Sequence, residues 1–335
     1  MGLYYAGICV GSGVVFIYGS LTARYLGWEW SFYICAITMA PCVHVGYGLT
    51  LPPLNASRDA TTTSLGSMAR EVLAILSSPV FVFSGLGIGV VNFSVQAMVT
   101  FTPAIVIGLN VFDDAWAATI FGILTVVAGL VGAPLAGILL DRAVQGRQDD
   151  ALFRRRLACY QRLWFQLVVL VAGGFTIGFL RHSTSWLFVM SSLVFLGAIF
   201  ATFGSTTISM LLSVSSEQRG LAMGLALLLQ NLIGNVPGHV VFGAIKVRLA
   251  PGCGSVTGDN GVDHVSPECA SESNQLGLRI MWTWMVLWML LGFLFWAIAL
   301  YNAKREEVNC ATEIVPTPQA VSDHVDYLIA VESQT

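Results

Sequence analysis

The sequence predicts an all-α, polytopic membrane protein with about eight transmembrane helices. Charged residues make up only 10 % of the 335 residues, against about 25 % in an average soluble protein. Hydrophobic residues reach 56 %, and the mean hydropathy is +0.74. The few charges also leave eight stretches of at least 18 residues without any Lys, Arg, Asp or Glu. Such a chain cannot cover a water-facing surface with charge, which disfavours a soluble enzyme.

Each charge-free stretch is long enough to cross a bilayer as one helix. A hydrocarbon core of about 30 Å needs roughly 20 apolar helical residues, whose backbone polar groups bond within the segment. The stretches are residues 1–23, 30–57, 72–112, 115–140, 163–180, 182–216, 220–245 and 280–303. We therefore expect eight helical spans.

Two of these stretches have unusual lengths. The stretch 72–112 is longer than one span requires. The amphipathic pattern of 68–76 predicts a helix that lies at the membrane interface. Ser77-Ser78-Pro79 should end this helix, and a span should follow over about 80–109. The stretch 163–180 is short for a span because Arg162 and Arg181 lie directly at its two ends. We expect both arginines to extend to the headgroups.

Basic residues predict the orientation of the spans. An even number of crossings places both ends on one side, and the side of the C-terminal tail holds eleven Lys and Arg residues against five on the other. The positive-inside rule therefore makes the tail cytosolic. The polar loop that contains Cys253 and Cys269 then faces outward, where the two cysteines could form a disulfide.

The most specific motif follows the fourth span. It reads Gly137-Ile138-Leu139-Leu140-Asp141-Arg142, with Gly146 and Arg147 after it. Gly137 is expected to permit close helix approach, and the charged residues to pair at the cytosolic edge of the membrane. Taken alone, the motif could equally be an ordinary charged loop.

This motif resembles the G-x-L-x-D-R loop of the major facilitator superfamily, in the copy that follows the eighth of twelve helices. Residues 27–33, Gly-Trp-Glu-Trp-Ser-Phe-Tyr, resemble the string that joins helices five and six in that family, with Glu29 in place of the usual basic residue. The two matches imply that the first span is family helix five and the last is helix twelve.

A third match lies in the seventh span. Residues 216–224, then 232–238 and Gly243, resemble helix eleven of the Spinster-like group, with Asn235 where an acid often stands. Organic-anion transporters share a similar helix and a cysteine-bearing loop, and they are the nearest competing group.

The resemblance implies a partial major facilitator fold that lacks the first four helices. Residues 1–51 would be two spans from the end of the N-terminal bundle, 52–78 a cytosolic linker with the interfacial helix, 79–305 the six-helix C-terminal bundle, and 306–335 a disordered cytosolic tail. The missing helices include the family's proton-coupling carboxylate and arginine, and none of the eight stretches contains an Asp or Glu. A truncated gene model or a remnant would explain this.

Polar residues within the spans are the candidates for a substrate path. On each of two spans they recur at helical spacing: Asn92, Gln96 and Thr100 on the third, and Gln230, Asn231, Asn235 and His239 on the seventh. Weaker candidates are Thr206 and Thr207 on the sixth span and Tyr4 and Tyr5 on the first. The ordinary alternative is that each amide only bonds a neighbouring helix.

No phosphate-binding loop, metal-ligand spacing or nucleophile–base pair occurs in the sequence. We therefore predict no cofactor, no metal and no enzymatic activity. The run 154–156 of three arginines is interpreted as a topology determinant beside anionic lipid, not as a nucleic-acid site.

By its resemblance, the protein is expected to be a multi-pass membrane transporter that moves a small organic or lipid-like solute by alternating access. The alternative is a non-transporting remnant, scaffold or receptor-like membrane protein. The expected partners are the lipid bilayer and the solute, and the oligomeric state is open. The expected location is the plasma membrane or a lysosomal or endosomal membrane.

Overall fold

The computed structural model describes residues 2–48, 65–147, 150–257 and 263–314. These residues form α-helices and one small antiparallel hairpin of strands β1 (Ser255–Thr257) and β2 (Asp263–Val265). The helices are α1 (Gly2–Tyr25), α2 (Trp28–Gly48), α3 (Leu65–Leu76), α4 (Pro79–Gly108), α5 (Asp114–Ala143), α6 (Ala151–Gly178), α7 (Ser185–Leu211), α8 (Arg219–Leu229), α9 (Val236–Leu249) and α10 (Glu272–Ile314). A π-helical segment, Gln230–Asn235, joins α8 to α9 without a break.

Within the described residues, six helices are long and apolar enough to cross a membrane. They are α4, α5, α6, α7, the continuous helix α8–α9, and α10. The first two predicted spans correspond to α1 and α2, which are 24 and 21 residues long. The apolar part of α1, Ala6–Gly19, forms a shorter segment. Together these helices account for the eight stretches from which the spans were predicted.

The chain breaks between α3 and α4 at the Ser-Ser-Pro sequence. The Ser78 side chain accepts a hydrogen bond from the Phe81 amide, and Pro79 occupies the first turn of α4. A proline is tolerated there because the amide N–H groups of the first turn have no partner inside the helix. The helix that precedes this break, α3, ends at Leu76.

The main core lies between α4, α5, α6, α7, α9 and α10. Glycines bring α5 and α7 close together, because a Cβ on Gly132 would lie 2.1 Å from the Gly197 carbonyl oxygen. Helix α1 packs on α5, where the rings of Phe16 and Phe121 meet edge to face at 5.3 Å. This arrangement places α1 beside the six-helix bundle.

Helix α10 continues beyond the point where the tail was expected to begin. The predicted tail starts at residue 306, whereas the helix extends to Ile314. Ion pairs explain the extension, since Arg155 bonds Glu306 and Arg156 lies 2.9 Å from Glu307. These contacts attach the last turns of α10 to α6. The rest of the expected tail, 315–335, the first part of the linker, 52–64, and residues 49–51 of the second predicted span lie outside the described residues.

Candidate functional site

A cavity of about 240 Å³ lies between α4, α7 and the continuous helix α8–α9, with Ile8 of α1 at its edge. Its lining is apolar on one part and polar on another. The apolar part includes Ile88, Met210, Met223 and Leu227. The polar part consists of Asn92, Gln96, Thr206, Thr207, Gln230 and Asn235. The cavity can therefore hold a molecule with both a polar and an apolar end.

One amide pair crosses the cavity wall. The Asn92 Nδ2 of α4 donates to the Gln230 Oε1 of the π segment at 3.3 Å. Close backbone packing brings these helices together, because a Cβ on Gly234 would lie 2.5 Å from the Gly89 carbonyl oxygen. Glycine is needed at position 234 because any side chain would separate the two backbones.

The π segment sets the direction of the amides in the second wall. The Val236 N–H bonds the Asn231 carbonyl, which is the five-residue spacing of a π-helix. Pro237 follows directly and has no N–H, so the Ile233 carbonyl lacks its ordinary α-helical partner. Such π-bulges are frequent at functional sites. Here the bulge lies where Gln230 and Asn235 face the cavity.

Asn231 does not line the cavity. Its Nδ2 donates to the Leu227 carbonyl at 2.8 Å, and its Oδ1 accepts from the Asn235 Nδ2 at 2.8 Å. The Asn231 side chain therefore forms its hydrogen bonds within its own continuous helix. The Oδ1 of Asn235 is buried and has no hydrogen-bond partner among the described residues.

Thr100 and His239 pair beside the cavity. The Thr100 Oγ1 lies 2.8 Å from the His239 Nδ1, and this hydroxyl also donates to the Gln96 carbonyl at 3.1 Å. The hydroxyl oxygen is then free to accept from Nδ1. The contact joins α4 to α9 about two turns beyond the amide pair in α4.

Two of the weaker candidates, Thr206 and Thr207, line the cavity from α7. The Thr206 hydroxyl donates to the Thr202 carbonyl at 2.7 Å, and that of Thr207 to the Phe203 carbonyl at 3.1 Å. The Thr206 oxygen keeps a lone pair for a guest molecule. The side chains of Tyr4 and Tyr5 lie outside the described residues.

Arg162 lies behind the cavity wall, and its predicted direction was wrong. The side chain is fully buried instead of extending to the headgroups. Its Nη1 donates to the hydroxyls of Ser84 in α4 and Ser209 in α7, both at 3.0 Å, and its Cζ lies 5.0 Å from the Trp296 ring centre. Its Nε and Nη2 have no partner among the described residues.

A sequence pattern could have revealed the buried arginine. The buried positions of α6 recur at helical spacing and are small or polar, and Arg162 belongs to this series: Arg155, Ala158, Cys159, Arg162, Gln166, Val169, Ala172, Gly173 and Thr176. Several large hydrophobic residues of this helix are exposed instead: Trp164, Leu167, Val168, Val171 and Phe175. Small and polar residues at a span interface allow helices to pack closely in lipid.

The cytosolic motif residues have different surroundings. A Cβ on Gly137 would meet no atom within 4 Å, so the expected close helix approach at this glycine was wrong. Asp141 lies 3.6 Å from Arg154 in an exposed ion pair. Arg142 is exposed, and Gly146 has a φ of +90°, which glycine adopts at no steric cost. Arg147 lies over the Phe153 ring at 5.2 Å.

At the other end of the bundle, Cys253 and Cys269 form a disulfide that closes a loop of 16 residues. Both cysteines are buried. Across the described part of the chain, no three His, Cys, Asp or Glu side chains come together as a metal site.

Comparisons with known proteins agree with this fold. A model of the Major Facilitator Superfamily matches residues 1–238. The chain belongs to this superfamily. It is 25 % identical over 281 residues to the probable sphingolipid transporter spinster homolog 1 of Arabidopsis thaliana, covering 74 % of this chain and 54 % of the relative. It is 27 % identical over 154 residues to protein spinster of Drosophila melanogaster, and this match covers 43 % of this chain and 25 % of that protein.

A solved structure is also similar. It is the inward-facing, unoccupied crystal structure of a bacterial homolog to the human lysosomal transporter Spinster, with a TM-score of 0.60 and 18 % sequence identity, covering 91 % of this chain and 71 % of that one. This likeness shows the fold. The chain is therefore an integral, multi-pass member of the superfamily with a partial major facilitator fold. It spans about half the length of the curated Arabidopsis relatives that it matches.

Proposed function

We propose that this chain is part of a membrane transporter that moves a small organic or lipid-like solute by alternating access, with the cavity as its solute site. The cavity carries this proposal because it combines uncharged amides and hydroxyls with an apolar wall. Such a lining suits a solute with a hydrogen-bonding head and an alkyl part. Two curated relatives are named as probable sphingolipid transporters, which supports a lipid-like solute.

The amides supply the hydrogen bonds of the proposed site. Asn92 and Gln230 each have donors and acceptors beyond their mutual contact, whose 3.3 Å length makes it a weak bond. A solute head can replace this contact at little cost. Thr206 adds a hydroxyl oxygen, whose hydrogen is donated to the Thr202 carbonyl.

Helix movement is the second requirement of alternating access. In the wall formed by α4 and the π segment, Gly234 lies against the Gly89 carbonyl, and Gly89 lies against the Ile233 side chain. Small residues permit both close packing and sliding of helices in lipid. The contact can therefore change when the solute binds.

The test uses the purified chain in liposomes and a fluorescent single-chain sphingosine analogue, measured first for binding and then for flux. Asn92→Leu and Gln230→Leu keep the side-chain size and remove the amides. Each is expected to weaken binding by about 1–3 kcal/mol, which is a factor of about 5 to 150. Asn302→Leu is the matched control, since this amide lies on α10, outside the cavity lining, and donates to the Ile298 carbonyl of its own helix.

Three results would count against the proposal. These are no flux above that of empty liposomes, no binding of the analogue, or an equal loss of binding in the Asn302→Leu control. Binding without flux would favour the alternative of a non-transporting, receptor-like membrane protein. We place the transporter in the plasma membrane or in a lysosomal or endosomal membrane, and the same fluorescent chain expressed in cells locates it.

A further inference from the structure

Two guanidinium groups share one aromatic ring at the end of the bundle where α6 begins. The Cζ of Arg147 lies 5.2 Å from the centre of the Phe153 ring, and the Cζ of Arg156 lies 5.1 Å from it. The ring attracts each cation through its π-electrons. The two cations therefore lie within about 10 Å of one another, so one anion near the ring is attracted by both.

Most arginines near this ring are paired with carboxylates, and Asp150 accepts a hydrogen bond from the Phe153 amide at 3.0 Å. Arg156 pairs with Glu307 at 2.9 Å, and Arg155 pairs with Glu306. No ion pair within the described residues involves Arg147, which is exposed. This end of the bundle is also the one where basic residues concentrate, which the positive-inside rule assigns to the cytosol.

An apolar groove continues from this ring along the outside of α6. It has a volume of about 230 Å³ and is lined by Tyr160, Leu163, Trp164, Leu167 and, from α10, Phe293. Tyr160 and Trp164 are exposed and meet edge to face at 6.2 Å. Tyrosine and tryptophan are typical of the membrane–water boundary. The groove shares no residue with the cavity proposed for the solute.

The cationic ring and the groove lie on one face of α6. Positions 153, 156, 160, 164 and 167 follow helical spacing. With a rise of 1.5 Å per residue, Tyr160 lies about 6 Å from Arg156 along the axis, and Leu167 about 16 Å from it. This is the order of a lipid in its leaflet, with the phosphate at the boundary and the acyl chain below it.

We propose that a phosphate-bearing lipid of the cytosolic leaflet docks along α6. Its phosphate contacts Arg147 and Arg156 beside Phe153, and one acyl chain occupies the groove between α6 and α10. The lipid is a bound partner on the outer face of the bundle, distinct from the transported solute. Because Arg156 is tied to α10 through Glu307, the bound lipid also connects α6 and α10.

The experiment measures lipid binding to the purified chain in nanodiscs. The probes are phosphatidylinositol 4-phosphate, phosphatidylcholine with the same acyl chains, and the water-soluble inositol 1,4-bisphosphate. The first is expected to bind most tightly. Arg147→Gln is expected to lower the affinity for phosphatidylinositol 4-phosphate about tenfold, because a charge-assisted contact contributes at least about 1.4 kcal/mol. Leu167→Trp fills the groove and is expected to lower the affinity of the chain for both lipids.

Lys304→Gln is the matched control, because Lys304 is exposed on α10 near the same end and the change removes the same charge. Its lipid affinity is expected to equal that of the parent chain. An equal loss in Lys304→Gln and Arg147→Gln would overturn the proposal, since it would indicate general attraction by net charge. Inositol 1,4-bisphosphate binding as tightly as the lipid, with no effect of Leu167→Trp, would also overturn it. Circular dichroism checks that every variant is folded.

Discussion

Substitution of Gly234 by alanine tests the packing of the cavity wall. The added Cβ would lie 2.5 Å from the Gly89 carbonyl oxygen and 2.9 Å from the Asn92 Cβ, whereas real Cβ atoms essentially never approach within 3.0 Å. The nearest obstacle is backbone, which cannot rotate away. The two helices must therefore separate by about 0.5 Å or more, which is the size of overpacking that costs about 1–3 kcal/mol.

Separation also affects the amide pair above the glycine. The Asn92–Gln230 bond is already 3.3 Å long, and an increase of about 0.5 Å ends it, at a further cost of about 0.5–1.5 kcal/mol. Alanine recovers up to about 1 kcal/mol through its helix propensity. We expect Gly234→Ala to lower the free energy of unfolding by about 1–3 kcal/mol, measured by SDS titration in mixed micelles.

Gly224→Ala provides the control in the same continuous helix. A Cβ there would meet no atom within 4 Å, so only the propensity gain of up to about 1 kcal/mol remains. The two alanines should therefore shift stability in opposite directions. A Gly234→Ala protein at least as stable as the parent chain would refute the backbone-to-backbone packing of α4 and the π segment.

Three further substitutions have defined outcomes. Arg162→Met should raise the free energy of unfolding by about 1–3 kcal/mol, because it removes a buried charge whose Nε and Nη2 have no partner among the described residues. Arg162→Lys keeps the buried charge and should not raise this free energy. SDS titration measures both variants. Cys253→Ser should lower stability by about 2–4 kcal/mol, and reductant should then have no further effect, unlike in the parent chain, where it opens the bond to Cys269. Thr100→Val should lower the free energy of unfolding by about 1 kcal/mol, because it removes the hydroxyl that contacts His239. In the Thr100→Val background, His239→Phe should cause no further loss from this contact, and a double-mutant cycle measures the difference.

Much of the fold follows from local chemistry that the sequence displays. The absence of charge marks each span because an unpaired charge in lipid is costly. The Ser-Ser-Pro break predicts where the long stretch 72–112 divides, and α3 and α4 meet at that point. Side-chain spacing likewise predicts Asn92, Gln96, Gln230 and Asn235 as members of one path, and they line one cavity, although their function is still a proposal.

Other features depend on contacts that no local pattern contains. The direction of Arg162 is decided by Ser84 and Ser209, which are distant in sequence and belong to other helices. The position of Asn231 depends on the π segment, because the wider turn changes the helical spacing assumed in the prediction. The length of α10 depends on its ion pairs with α6. Charge counts placed Arg162 at the headgroups, and helical spacing placed Asn231 in the path.

The length of α10 has a mechanical consequence. Its 43 residues extend for about 65 Å, roughly twice the hydrocarbon core of about 30 Å. A continuous helix behaves as a rod, so any tilt of the bundle within the membrane is magnified at its far end. Cys310 lies close to that end and is not in a disulfide. A spectroscopic probe on this thiol would report small rotations of the bundle as large displacements.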